Sequence, residues 1–407
     1  IYPRVPPRSL FDGWENEVPK YWDPSEQRQS TCLAIVEVTD ACNLNCSYCF
    51  ASSNNSNSTN PSIDIIENMF KAIVKKCKKP YVVQISGGEP TIRSDLPEII
   101  ELAKGIGIDF VQLDTNGIKL AKEDYLKALK KSGLDSIYLS FDGFNRDTLS
   151  YIYGVDLLDV KLKVVENCRR VGIPITLVPR VIPNLNIDQI GKIVEFAKRN
   201  VGTIKGVHFQ PISYFGRTPS APDLANGYIT IPRLLREIEI QTMGEIGMNN
   251  FVPTGCSNPH CDTKCFGFVS SGRFIPLTKF RESPLDDEDI TKTVREGVCC
   301  SWGTIDTGDF QLDEPQETAT ECGCGGSWLD LARDLTNNTL TISSMHFQDA
   351  WDLVTYRVRD CCIHAVLPDG RFVPFCLFNV SDVNGRSPLR ELWRNLCRAN
   401  EVAERVT

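Results

Sequence analysis

Three cysteines fall within twelve residues in "TDACNLNCSYCF" (39–50), spaced C-x3-C-x2-C as Cys42, Cys46 and Cys49. A structural zinc site takes four ligands, and a simple electron-transfer iron–sulfur cluster takes four cysteines. Three thiolates leave one iron of a [4Fe–4S] cluster without a protein ligand. An iron with an open position can bind a substrate or cofactor and do chemistry on it.

The remaining cysteines raise the same question on a larger scale. The chain has 407 residues and 17 cysteines but only 4 histidines, so His-rich metal sites are not expected. Disulfide frameworks belong to small secreted domains; no secretory signal is legible, and clustered cysteines in a large chain point to metal and a cytoplasmic protein. The first residue is Ile rather than Met, so upstream sequence is expected to have been removed or left out. Beyond the opening motif, cysteines cluster at Cys256/Cys261/Cys265, Cys299/Cys300, Cys322/Cys324 and Cys361/Cys362/Cys376. Cys32, Cys77, Cys168 and Cys397 stand alone and are expected to pack as small buried hydrophobes. The formal net charge of −8 argues against nucleic acid as a partner. No apolar run reaches the ~20 residues of a membrane span, although peripheral membrane contact is compatible with the sequence.

The elements that must position these groups alternate regularly. "LAIVEVT" (33–39), "YVVQIS" (81–86), "FVQLDT" (110–115), "SIYLSFD" (136–142), "ITLVPRVI" (175–182) and "GVHFQPIS" (206–213) read as strands. Helical spacing runs through 62–77, 95–107, 123–133, 158–172 and 187–200. Strands alternating with helices in this way imply parallel βαβ units. Six are too few to close an eight-fold barrel, so the expected fold is α/β, an open (β/α)6 TIM-like partial barrel. Chemistry in such barrels sits at the C-terminal ends of the strands, where the three cysteines fall. The domain reading is an irregular arm over 1–31, the barrel over 32–230 and a cysteine-rich C-terminal extension over 231–407. Within the extension, residues 231–244 read as a helix, 272–278 as strand-like and 368–376 as a hairpin turning at Asp369-Gly370. The polar stretch 306–326 reads as a surface loop.

A second signal, "SGGEP" (86–90), ends the second strand. Its glycines would let a ligand approach the backbone, and Glu89 can accept hydrogen bonds from an ammonium group. With the cysteine loop, this turn, "TNG" (115–117) and "SFDG" (140–143), residues 30–215 resemble the radical S-adenosylmethionine enzymes. The resemblance implies that the cluster's open iron binds S-adenosylmethionine. One electron, from a donor such as ferredoxin or flavodoxin, then releases a 5′-deoxyadenosyl radical that takes hydrogen from an unactivated C–H bond. It further implies contacts to the cofactor from Gly87, Gly88, Glu89, Thr115, Asn116, Ser140, Asp142, Arg180 and Gln210.

Loop-borne cysteine pairs hold auxiliary [4Fe–4S] clusters in that superfamily. Cys261, Cys361, Cys362 and Cys376 are the expected set here, with Cys256 or Cys265 able to replace one of the adjacent pair. Cys299, Cys300, Cys322 and Cys324 could hold a second cluster; zinc or uncoordinated thiols are the alternatives. Finer detail ("SGGEPTIRSDLPEI", "TNGIKLAK", "NPHC", "MHFQD", "CCIHAVLPDGRFVPFC") resembles the archaeal tetraether lipid synthases. That implies coupling of two isoprenoid chains at unactivated carbons, with an auxiliary cluster holding the first substrate radical. The competing expectation is modification of a ribosomal peptide, a pterin or another small molecule, including transfer of part of S-adenosylmethionine. No cobalamin-binding domain is recognisable.

Overall fold

The computed structural model describes residues 29–79, 81–219, 227–254, 256–278, 337–382 and 384–404, and the structural statements concern these. The arm over 1–28, the 306–326 stretch and Cys299, Cys300, Cys322 and Cys324 lie outside them.

The alternation read from the sequence becomes strands β1 (Leu33–Thr39), β2 (Val82–Gly87), β3 (Phe110–Thr115), β4 (Ser136–Ser140), β5 (Ile175–Val178), a short β6 (Arg180–Val181) and β7 (Ile204–Pro211). Between and after them run α1 (Ile63–Lys76), α2 (Leu96–Ile106), α3 (Glu123–Lys131), α4 (Arg146–Tyr153), α5 (Leu158–Val171), α6 (Ile190–Arg199) and α7 (Ile231–Gln241). Local chemistry sets the boundaries. Ser62 caps α1 by accepting from the Ile65 N–H, and Lys75 and Lys76 occupy its last turn, where cations complement the helix dipole. Gly107, Gly154 and Gly172 end α2, α4 and α5 in the left-handed conformation. Every residue of β2 is buried, as a strand covered on both faces requires. Ile66, Met69, Phe70, Ile85, Ile99 and Leu113 are among the residues of the main core.

The tail contributes β8 (Asp262–Ser270), β9 (Arg273–Pro276), β10 (Thr339–Met345), α8 (Thr355–Arg359), β11 (Ile363–Val366), β12 (Phe372–Pro374), α9 (Phe375–Asn379) and α10 (Pro388–Glu404). Its strands join the barrel sheet rather than forming one of their own. The order is β12-β11-β1-β2-β3-β4-β5-β7-β10-β8-β9, with β6 beside β7. β11 pairs parallel to β1 and β10 pairs parallel to β7. Eight adjacent parallel strands result among the described residues, two more than the six βα units supply. An open barrel leaves unpaired backbone at both edges, and the tail satisfies both. Antiparallel β8, β9 and β12 extend the sheet outward. The expected hairpin is β11–β12; Gly370 carries φ +77° in its turn.

α10 closes the structure. Leu389, Leu392, Trp393 and Cys397 bury against Phe378 and Val380. Arg390 makes a two-pronged ion pair with Glu37 of β1 at 2.6 and 2.8 Å, and both side chains are buried. Arg394 pairs with Asp40 at 2.9 Å. Cys168 also packs in the core, as its isolation in the sequence implied.

Candidate active site

The three clustered cysteines follow β1 on a loop tied down at many points. Cys42 N–H donates to the Asn54 carbonyl at 3.0 Å, and Cys49 exchanges both backbone bonds with Arg217 at 2.9 Å. Arg217 Nε donates to the Cys46 carbonyl at 2.7 Å, and Arg180 Nη1 to the Tyr48 carbonyl at 2.5 Å. Helix α4, absent from the sequence reading, supports the same loop. Ser47 N–H bonds the Ile152 carbonyl, and Leu149, Ile152 and Tyr153 pack with Leu44, Cys46 and Tyr48. The missed signal was Asn145, whose side chain caps α4 by accepting from the Asp147 and Thr148 N–H groups.

Cys42, Cys46 and Cys49 line one cavity together with Gly88, Glu89, Thr115, Asn116, Ser140, Arg180 and Gln210. These residues share a side of the sheet because each sits at or just beyond the C-terminal end of its parallel strand. Burial pushes the Cys42 thiol up to about 12 and raises that of Cys46. Such thiols hold their protons until a thiophilic metal displaces them.

Several residues stand differently from expectation. Gly87 does not line the cavity. Side chains at Gly87 and Gly88 would collide with the carbonyls of Thr39 and Ala41, and Gly87 has φ +131°. The two glycines therefore let the start of the cysteine loop lie against β2; Gly88 N–H and Glu89 N–H bond those same carbonyls. Glu89 is buried, and its Oε1 accepts from Thr91 N–H, Thr91 Oγ1 and Thr115 Oγ1, while Oε2 accepts, among the described residues, from Asn116 N–H alone at 2.7 Å. Oε2 thus retains acceptor capacity. Asn116 is a tether, donating from Nδ2 to Asn43 of the cysteine loop at 2.8 Å. Asp142 lies outside the cavity lining; it pairs with Arg180 at 2.6 Å and accepts from the Arg180 N–H. Arg180, expected to meet a cofactor carboxylate, lines the cavity and is also engaged by Asp142 and by the Tyr48 carbonyl of the loop.

Two residues escaped the sequence reading. Lys161 of α5 is fully buried, donates to the Asn116 carbonyl at 2.6 Å and sits over the Tyr153 ring; burial lowers its ammonium to about 8. Asp114 of β3 lines the cavity. Burial raises it to about 7 against a hydrogen bond from Ser86, with the Glu89 charge adding to the rise.

The tail cysteines divide in two. Burial, followed by neighbouring Cys261, pushes the Cys361 thiol up to about 12. Cys376 rises for the same reasons, burial first and then Cys361 and Cys261. Cys261, Cys361 and Cys376 are thus electrostatic neighbours, with Cys256 a further neighbour of Cys361, and Arg357 donates to Cys261 Sγ at 3.4 Å. Cys362, expected among them, turns to Cys256 at 3.4 Å. Cys361 and Cys362 thus have different leading neighbours, Cys261 and Cys256. Cys265 is in neither: it is buried in β8 within the main core. Cys32, expected to be a lone hydrophobe, lies with Cys256 and Cys362.

Known proteins bear on this geometry. The Radical SAM superfamily model matches residues 36–197. Over 395 residues the chain is 36% identical to the 7,8-dihydro-6-hydroxymethylpterin dimethyltransferase of Methanocaldococcus jannaschii, spanning 86% of this chain and 77% of that one. The chain belongs to the radical SAM superfamily. A GTP 3′,8-cyclase of Clostridium perfringens is 27% identical over 180 residues, 44% of this chain and 55% of its own. Among solved structures, Streptococcus suis SuiB bound to S-adenosylmethionine is similar with a TM-score of 0.42 and 20% identity, over 53% of this chain and 47% of that one. As a radical SAM enzyme the protein uses a [4Fe–4S] cluster and S-adenosylmethionine, takes electrons from an external donor and acts on a substrate. The residues fit the first requirement: three thiols face one cavity, and among the described residues no fourth cysteine lines it.

Proposed function

We propose that this radical SAM enzyme removes hydrogen from saturated carbons of an apolar substrate, and that the substrate is an isoprenoid lipid whose chains it couples. The observation that carries the reading is the cavity wall. Leu33, Ile35, Phe50, Phe347, Ile363 and Phe375 line the same cavity as the three cysteines. Phe375 packs against Phe347 and Phe50 with centroids 4.8 and 5.9 Å apart. Such a surface binds hydrocarbon by burying it and offers it few polar contacts.

Bound together, the cluster and S-adenosylmethionine supply a 5′-deoxyadenosyl radical. The chain's residues position and shield that chemistry. Cys42, Cys46 and Cys49 would hold the cluster, with the loop fixed by Asn116, Arg180 and Arg217. Glu89 Oε2 would accept from the methionine ammonium. Ser140 and Gln210, at the ends of β4 and β7, would meet the ribose or carboxylate, and the aromatic wall excludes water. Cys261, Cys361 and Cys376 would hold an auxiliary cluster.

A second reading is favoured by the 36% identity to the pterin dimethyltransferase: one-carbon transfer to a pterin, whose ring could stack on the same phenylalanines. The test is label transfer. Chain-deuterated isoprenoid lipid and methyl-deuterated S-adenosylmethionine with a hydroxymethylpterin are each incubated with the reduced enzyme. Deuterium in 5′-deoxyadenosine from the lipid, together with loss of coupled lipid from cells lacking the gene, supports the first reading. A deuterated methyl group on the pterin, with unchanged lipids, replaces it with the second.

A further inference from the structure

The geometry points to a separate mononuclear metal site on Cys32, Cys256 and Cys362, taking a soft divalent cation, zinc, and stapling the tail to the first barrel strand. The sulfur atoms of these three buried cysteines all lie within 4.8 Å of one another, and those of Cys256 and Cys362 are 3.4 Å apart. Sulfurs sharing one tetrahedral zinc are about 3.8 Å apart, the edge set by Zn–S bonds of about 2.3 Å. Thiolates on separate irons of a cluster must stand farther apart, since an iron–iron separation comes between them. A disulfide between Cys256 and Cys362 would need sulfurs about 2.05 Å apart and would leave Cys32 unused. Among the described residues three thiolates stand there, and solvent would complete the tetrahedron, as in zinc sites with three protein ligands.

The three residues join segments far apart in the chain. Cys32 directly precedes β1, Cys256 lies shortly before β8 and Cys362 directly precedes β11. Cys32 N–H and Leu33 N–H both bond the Cys362 carbonyl, at 2.8 and 3.2 Å, so the group sits where β11 joins the barrel edge. A metal there would contribute its binding free energy to holding the tail strand on the barrel. The Cys261, Cys361 and Cys376 group is left to the auxiliary cluster.

The test uses the full chain, purified anaerobically from zinc-supplemented cells, with zinc and iron measured per chain. Expected is about one zinc with a sulfur-dominated X-ray absorption shell at about 2.3 Å. Cys32→Ser and Cys256→Ser should each lose the zinc and keep the iron, whereas Cys376→Ala should lose iron and keep the zinc. Absence of zinc from the wild-type protein, or zinc retained in Cys32→Ser, overturns the site. So does loss of about a cluster's worth of iron in Cys32→Ser, which would make Cys32 a ligand of a [4Fe–4S] cluster. If both serine variants fail to fold, the wild-type spectrum decides: a shell of nitrogen and oxygen alone rejects the proposal.

Discussion

Two regions of this protein gather thiols, and they do so by different routes. Cys42, Cys46 and Cys49 sit on one loop whose shape comes from its own neighbours: Asn116, Arg180 and Arg217 grip its backbone or side chains. Cys32, just before β1, and Cys256 and Cys362 of the tail come from segments spread over most of the chain and meet where β11 pairs with β1. The first site's three cysteines lie on a single loop, although tail residues Phe347, Ile363 and Phe375 complete the cavity they line. The second exists only once the tail has docked, so its integrity reports on the fold as well as on metal.

The largest expected effect separates the regions by chemistry. Cys42→Ala, Cys46→Ala or Cys49→Ala should each abolish 5′-deoxyadenosine formation in anaerobic, reduced protein, while Cys376→Ala should leave it measurable and impair product formation. Near-normal cofactor cleavage in any of the first three would break the assignment of the loop. The purpose of the auxiliary group is sharpened by the same assay: product that merely slows in Cys376→Ala indicates electron relay rather than a hold on substrate.

The next effect separates them by stability. Arg390→Ala leaves Glu37 buried and without its ion-pair partner beside the start of the cysteine loop. Breaking such a pair costs about 3–5 kcal/mol. Arg394→Ala, which removes the more exposed partner of Asp40, should cost less. Denaturant titration checks both, and equal small losses would show that α10 is not a principal fastening of the tail.

This contrast also explains what the sequence could reveal. The cysteine loop, the GGEP turn and the βα rhythm are local patterns, and the strands read at 33–39 and 110–115 are those observed. Strands β10 and β11 are defined by their pairing with β7 and β1 across long stretches of chain, information that no window of residues contains. The grouping of Cys32 with Cys256 and Cys362 was hidden for that reason. The same holds for Arg180 and Asp142: the family resemblance implied cofactor contacts for both, and their mutual pairing is visible only in three dimensions.

A smaller effect tests how the first region meets its cofactor. Glu89→Gln keeps the size of the side chain and removes its charge. A hydrogen bond from an ammonium to a carboxylate is worth about 1.5–3 kcal/mol, or about one to two decades of affinity. S-adenosylmethionine binding, measured by equilibrium dialysis on cluster-loaded protein, should weaken by that factor with iron content unchanged. Unaltered binding would confine Glu89 to anchoring Thr91, Thr115 and Asn116.

A last effect concerns Asp114, in the wall of the first site. Its carboxyl stands at about 7, raised chiefly by burial and secondarily by Glu89, against about 3.9 for an ordinary aspartate. Between those values the folded protein keeps a proton that the unfolded chain has released. Stability contributed by this group therefore falls as pH rises from about 4 to about 7 and is level above that. Asp114→Asn, which cannot ionise, should flatten the dependence and gain relative to wild type toward neutral pH. Asp262 and Asp352, raised by burial to about 6 and about 7, act in the same direction, whereas burial lowers His208, His346 and His364 to about 4, about 4 and about 3 and these act in the opposite direction, so it is the difference between wild type and Asp114→Asn that isolates this carboxyl. Urea titrations across mildly acidic to neutral pH give the comparison directly. Parallel slopes for wild type and Asp114→Asn would mean that Asp114 is already ionised in the folded state, and would leave His208 as the cavity group whose burial makes stability depend on pH.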